Sequence, residues 1–370
     1  MKIVYYTHSL VSCWNHGNAH FLRGVLTELA SRGHEVLSCE AAGNWSLDNL
    51  RQEDAYDAGA LFARKYPVLH PATYRNLTEA VSAADGADLV VVHEWNEPAL
   101  VAALGKRRIE GGRFLLLFHD THHRAVSDPD AIRMLDLEGY DGVLAFGSAL
   151  AKIYEAWGWR ERVFVWHEAA DTRVFYPLVR DLPRTGLVWI GNWGDGERSS
   201  ELERFLLAPA QEVGLDLDIY GVRYPLSTLD LLRTYGARYR GWLPNARTPE
   251  AFATHLATVH VPRRFYTTHL PGIPTIRVFE ALACGIPLVC APWDDAESLF
   301  TPGADYLVAR DGAEMTQQLR ALATSPDFRQ QLVQHGLATI HARHTCAHRV
   351  DELLGICRQL GAGRAVESQL

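Results

Sequence analysis

No apolar run in this sequence approaches the ~20 residues that a membrane-spanning helix needs, so no transmembrane segment is expected. Its six cysteines (Cys13, Cys39, Cys284, Cys290, Cys346 and Cys357) include no Cys-x-x-Cys pair. Such scattering disfavours a zinc knuckle or a disulfide framework and fits a reducing compartment. Positive charge is not in excess: 36 Lys and Arg stand against 44 Asp and Glu, a formal net charge of −8. A nucleic-acid partner is therefore not expected. There is no low-complexity tract and no short-period repeat, which excludes a solenoid. The first strand is not followed by G-x-G-x-x-G, so a nicotinamide dehydrogenase lacks its fingerprint. The opening residues Met1-Lys2-Ile3-Val4-Tyr5-Tyr6 read directly as a strand and not as a signal peptide, and a cytoplasmic location is expected.

What is present is material for two domains. The 370 residues are 48% hydrophobic and 22% charged, enough for two α/β domains of ~150–200 residues each. In the first half, strand candidates lie at residues 3–7, 35–39, 88–93, 113–118, 142–146 and 163–166. Helical patterns at 19–31, 73–84, 97–109 and 148–157 alternate with them. The strands are continuously apolar, as in a parallel sheet covered on both faces. A polar, proline-bearing connection at 171–183 precedes a second series. Its strands are expected at 187–190, 216–220, 237–239, 258–261, 287–290 and 306–308, interleaved with six helices and followed by a last one near 346–360. The fold class is α/β, with two Rossmann-like doubly wound domains at 1–175 and 176–344 facing a central cleft. A ligand is expected there, at the carboxyl ends of the strands.

Three segments carry candidate chemistry. The loop after the first strand contains His16-Gly17-Asn18-Ala19-His20. A Gly-Asn turn entering a helix aims free N–H groups at a bound anion. The fourth major strand ends in His119-Asp120-Thr121-His122-His123-Arg124. No carboxylate set at helical spacing accompanies these histidines, so no metal is expected. The third segment runs from Leu270 to Val289. A Pro-Gly loop leads into a helix near Thr275, and amides from Gly272 to Ile276 would seat a diphosphate. Arg277 adds charge there, and Glu280 is placed to accept hydrogen bonds from ribose hydroxyls. Arg198, Arg223, Arg263 and Arg264 follow second-domain strands and are candidate phosphate ligands. Trp242-Leu243-Pro244-Asn245 is a candidate base-binding rim, and Asp294-Asp295 a helix cap. For each of these residues a packing or solvated role is the alternative.

Residues Arg277 to Val289, Arg-Val-Phe-Glu-Ala-Leu-Ala-Cys-Gly-Ile-Pro-Leu-Val, resemble the donor-site helix of glycosyltransferases with the two-domain GT-B fold. Within the group 1 enzymes the nearest group is the CgeB-like, spore-maturation-like family. His119-Asp120, the stretch Ala170-Asp171 to Phe175-Tyr176-Pro177, and Ile190-Gly191-Asn192 resemble further landmarks in the same order. The resemblance implies a hexosyltransferase that moves a sugar from a nucleoside diphosphate sugar, a UDP-sugar being favoured, to an unidentified glycan, lipid-linked, protein or small-molecule acceptor. It implies no metal and no cofactor beyond that co-substrate. His119 and Asp120 would be catalytic. Gly17, Asn18, Gly191, Asn192, Arg198, Arg263, Gly272, Thr275, Ile276, Arg277 and Glu280 would bind the donor. His16, His20 and Glu168 would lie on the acceptor side. A C-terminal helix, 345–370, would cross back to complete the first domain. One position departs from the family pattern Glu-x7-Glu: Gly272 stands where the first glutamate would be. A sugar-nucleotide epimerase of the same architecture and a non-catalytic sugar-nucleotide binder are the rival readings.

Overall fold

The computed structural model describes residues 1–53, 57–194 and 196–367, with side chains to residue 361. The chain forms two compact units: Met1–Ala169 together with the chain from Cys346, and Ala170–Thr345.

The first unit is built on a seven-stranded, all-parallel sheet. Its strands are β1 (Lys2–Tyr6), β2 (Glu35–Ala41), β3 (Ala72–Tyr74), β4 (Leu89–His93), β5 (Leu115–Asp120), β6 (Gly142–Ala145) and β7 (Val163–Val165). They are arranged β3-β2-β1-β4-β5-β6-β7. All five residues of β4 and all six of β5 are buried, which is why these strands read as unbroken apolar runs. The order reverses direction between β1 and β4, so the loops after these two strands flank a crevice at the carboxyl edge.

The segment 73–84, expected as one helix, is a short strand followed by a helix at Leu77–Ala83. A capping box sets the boundary. Glu79 N–H donates to Asn76 Oδ1 at 2.9 Å, and Arg75 N–H donates to Glu79 Oε2 at 2.8 Å. The helix thus starts at residue 77, leaving Thr73 to pair with Glu40 in the sheet. Two helices not anticipated from the sequence, Trp45–Glu53 and Ala58–Lys65, precede β3. The C-terminal helix Cys346–Glu367 belongs to this unit. Its Arg349 carbonyl accepts from Trp166 Nε1 at 2.8 Å, and Asp351 pairs with Arg32. Residues 368–370 of the expected 345–370 helix lie outside the described residues.

The second unit carries a six-stranded parallel sheet. It comprises β8 (Leu187–Ile190), β9 (Leu217–Tyr220), β10 (Arg238–Tyr239), β11 (Ala257–His260), β12 (Leu288–Cys290) and β13 (Leu307–Val308), in the order β10-β9-β8-β11-β12-β13. Its direction reverses between β8 and β11. The helix expected over 201–213 is helical throughout but passes through a π turn at Glu203–Leu207. Pro209 explains it: a proline cannot donate to the carbonyl four residues back and its ring crowds that carbonyl.

The loops after β8 and β9 touch at two glycines. A Cβ on Gly221, whose φ is +155°, would lie 2.0 Å from the Gly191 carbonyl oxygen. Gly221→Ala is therefore predicted to destabilise the second unit by at least about 2 kcal/mol. Urea unfolding of the two proteins checks this, and an unchanged midpoint would contradict the close approach.

Candidate functional site

The second unit gathers cations at its reversal point. Arg198 precedes the short helix Ser199–Leu202 and reaches across both flanking loops. Its Nη1 donates to the Val261 carbonyl after β11, and its Nη2 donates to the carbonyl and Oδ1 of Asn192 after β8, all at 2.9 Å. The guanidinium sits 5.0 Å over the Trp189 ring. Burial, reinforced by the Arg263 charge, lowers the Arg198 pKa to about 10, so the group stays cationic at neutral pH. Arg263 joins it, donating to Asn192 Oδ1 at 3.1 Å and pairing with Glu197 at 2.5 Å. Arg264, one residue on, is exposed and paired with Glu201 at 3.2 Å.

His260 closes β11. It is buried, its Nε2 lies 3.1 Å from Thr275 Oγ1, and burial followed by the Arg198 and Arg277 charges pushes its pKa down to about 3. Thr275 occupies the N-cap position of the helix Ile276–Ala283 in an extended backbone conformation, but its hydroxyl turns to His260 and makes no capping bond. Four donor elements thus meet here: Arg198, Arg263, Arg277 and the amino end of that helix. Such an arrangement suits an anion with several oxygens.

Glu280 is fully buried, and Arg277 and Asn245 bind its two oxygens, the latter at 2.5 Å. The carboxylate expected on ribose hydroxyls is thus held by side chains of its own unit, and it fixes Arg277 and Asn245. Gly272 has φ +85°, and its N–H donates to the Asp294 carbonyl at 2.8 Å. A Cβ there would lie 3.1 Å from Ala296 Cβ and 3.2 Å from Glu297 Cγ. A glutamate at 272 would be strained in this backbone. Asp295 accepts from the Leu299 and Phe300 amides in a turn; no helix follows it, and the next one, Gly312–Thr324, is capped by Asp311, so Asp294-Asp295 is not the helix cap expected from the sequence.

The first unit collects histidines at its own reversal point. His8 and His16 rings lie 5.7 Å apart, His16 and His93 6.0 Å, and His93 and His119 5.4 Å. His119 is fully buried between Tyr5, whose hydroxyl is 2.6 Å from Nδ1, and the Phe21 and Trp166 rings. Burial lowers its pKa to about 3 and that of His8 to about 4, so both are neutral imidazoles. Among the described residues no group hydrogen-bonds Nε2 of His16 or of His119, though both residues are buried. Asn18 bonds Thr121 through its side-chain amide, and Thr121 Oγ1 lies 3.0 Å from His93 Nε2. This draws the β1, β4 and β5 loops together. His20 and Glu168 are also buried. Glu168 lies beside the C-terminal helix, with its carbonyl accepting from Arg349 Nε at 3.3 Å.

Asp120, at the end of β5, accepts from Tyr154 OH at 2.8 Å and from the His122 amide at 3.1 Å. Burial raises its pKa to about 6. Glu94, directly after β4, is its companion: fully buried, 3.6 Å from Arg124 Nη1, and raised well above the usual carboxylate range by burial and then by Asp120. Glu94 and His93 escaped the sequence reading, as did His260. Each stands at or just past the carboxyl end of an apolar strand, and that position was the available signal. Among the described residues no three His, Cys, Asp or Glu side chains are gathered as a metal-binding set.

The neutral histidines carry a pH signature. In the unfolded chain a histidine titrates near 6.5, whereas folded His119 titrates near 3. Between those values the unfolded state holds more protons. The stabilisation is therefore complete above about pH 6.5 and is lost as pH falls toward 3. Between pH 7 and pH 5 the wild type is predicted to lose about 1–2 kcal/mol more stability than His119→Asn. Parallel curves of stability against pH for the two proteins, each point from urea unfolding, would show that His119 is not held neutral.

Comparison with known proteins agrees with this geometry. Residues 198–355, which include the cation cluster and the Glu280 helix, match the glycosyl transferase-like family. No curated protein sequence matches the chain. Sucrose-phosphate synthase from Thermosynechococcus elongatus is 15% identical, with a TM-score of 0.68 over 98% of this chain and 100% of that one. Anabaena HepE, solved with UDP and glucose, is 13% identical, with a TM-score of 0.65 over 99% of each chain. The DNA-modifying β-glucosyltransferase, solved with and without UDP-glucose, is 12% identical, with a TM-score of 0.62 over 96% of this chain and 99% of its own. The chain therefore has the GT-B fold of two Rossmann-like units, and its residues 198–355 are similar to the glycosyl transferase-like family.

Proposed function

We propose that this protein transfers a sugar from a nucleoside diphosphate sugar, UDP-sugar first among them, to an acceptor hydroxyl without a metal ion. The observation that carries the reading is the cation cluster at the β8/β11 reversal point. Arg198, Arg263 and Arg277 are held by Asn192, Val261 and Glu280 at the amino end of helix Ile276–Ala283. Fixed cations and a helix terminus stabilise a departing diphosphate without reorganising. They supply the charge that a divalent cation supplies in other transferases. The amides of Gly191 and Gly272 are bonded to the Tyr220 and Asp294 carbonyls, so the backbone's contribution to the same anion comes from the amino end of the helix that starts at Ile276.

In the first unit, His16, Gly17 and Asn18 belong to the loop on the sugar and acceptor side, His20 to the first turn of the helix Ala19–Ser31 that follows it, and Glu168 is the further acceptor-side residue. His119 orients there as a neutral donor or acceptor. Asp120, titrating near 6, has the proton affinity needed to take a proton from an acceptor hydroxyl near neutrality, with Glu94 as its partner acid. The rest of the rate comes from holding the two substrates in line.

Calorimetric titration with UDP in the presence of EDTA tests the phosphate seat. UDP is predicted to bind the wild type, and Arg263→Gln to weaken that binding at least tenfold, about 1.4 kcal/mol. Binding that needs a divalent ion, or that is untouched by the substitution, would contradict the metal-free arginine seat.

A further inference from the structure

The first unit contains a cavity of about 610 Å³ that none of the preceding chemistry uses. Two connections form it. One runs from the helix Pro129–Arg133 toward β6, and the other from the helix Ser148–Ala156 toward β7. Both lead into the starts of their strands, so the cavity lies at the amino edge of the sheet, with the Tyr154 side chain between it and Asp120.

Its walls pair aromatic rings with cations. The Arg133 guanidinium sits 4.9 Å over the Trp157 ring, and that of Arg162 sits 4.5 Å over the Trp159 ring. Ile132 and Leu135 supply apolar surface, and Tyr154 lines the same space while its hydroxyl reaches Asp120. One acidic side chain, Glu138, stands in the lining against the two arginines. Arg133 has Asp130 at 4.0 Å, and Arg162 donates to the Tyr140 carbonyl at 3.3 Å. Two carboxylates, Asp130 and Glu138, thus stand against two arginines, and what the site offers an anion is the guanidinium N–H edges and not an excess of positive charge.

Tryptophan faces bind flat or ring-shaped apolar surfaces, and stacked arginines keep their N–H edges free for an anion. A cavity with both recognises a molecule that has both. We infer that this cavity is a second ligand site, separate from the nucleotide seat, for a small ring-bearing anion: a ring that lies against Trp157 and Trp159 with a phosphate or carboxylate between Arg133 and Arg162. A phosphorylated sugar and an aryl phosphate share that chemistry.

Calorimetry on the full chain with phenyl phosphate, glucose 6-phosphate and inorganic phosphate tests it. At least one of the two ring-bearing phosphates should bind more tightly than inorganic phosphate, and whichever binds better identifies the ring. Arg133→Ala/Arg162→Ala should lower that affinity at least tenfold, Glu138→Gln should raise it, and UDP binding should be unchanged in both. Because both arginines are exposed, the double variant should fold. If neither ring-bearing phosphate binds, if inorganic phosphate binds as well as they do, or if the double variant binds normally, the second site does not exist. None of those results bears on the nucleotide seat.

Discussion

Everything proposed for the second unit depends on how Arg198 is held. A single guanidinium spans the two loops that flank the reversal of strand order, bonding Asn192 on one side and Val261 on the other. Bringing such a group out of water costs several kcal/mol unless its donors are met. Here three acceptors meet Nη1 and Nη2 and the Trp189 face lies under the guanidinium, while Nε has no hydrogen-bond partner among the described residues. The cation is therefore fixed in place before any anion arrives. Asn192 Oδ1 also accepts from Arg263, so two positive charges share one neutral anchor. Their mutual repulsion is relieved by Glu197 on one side and would be relieved further by a polyanion on the other.

The two units place opposite electrostatics at equivalent positions of the same sheet order. At the β8/β11 reversal the second unit gathers permanent cations. At the β1/β4 reversal the first unit gathers imidazoles that burial keeps neutral and two carboxyl groups that burial makes more basic. The first arrangement suits a group that is always charged, such as a diphosphate. The second suits hydroxyls, whose protons must be shared or removed near pH 7. On the proposed reading, one fold would provide, through loop chemistry alone, a seat for the charged half of a sugar nucleotide and a protic environment for uncharged partners.

Much of this was legible in the sequence because parallel strands buried on both faces are unbroken apolar runs. The strands at the centre of both sheets and the two-unit plan followed from that pattern, and the helix Ile276–Ala283 from the Pro-Gly loop that leads into it. The short edge strand Ala72–Tyr74 did not, since an edge of three residues has almost no periodicity and its neighbour's capping box decides where it ends. The cation cluster was legible as a set of arginines after strands, but which of them converge was not. Arg198 and Arg263 meet through Asn192, whereas Arg264, adjacent in sequence, points to Glu201 at the surface. Glu280 shows the same limit: its position in the motif was plain, but its pairing with Asn245, 35 residues earlier, needed the fold.

Hydrogen–deuterium exchange with and without saturating UDP tests the central claim most directly. Amides in 191–194, 198–202, 261–264 and 272–280 are predicted to gain protection, with the first unit's sheet unchanged. UDP binding that protects other segments and leaves these four untouched would show that the arginine-anchored reversal point is not the nucleotide seat.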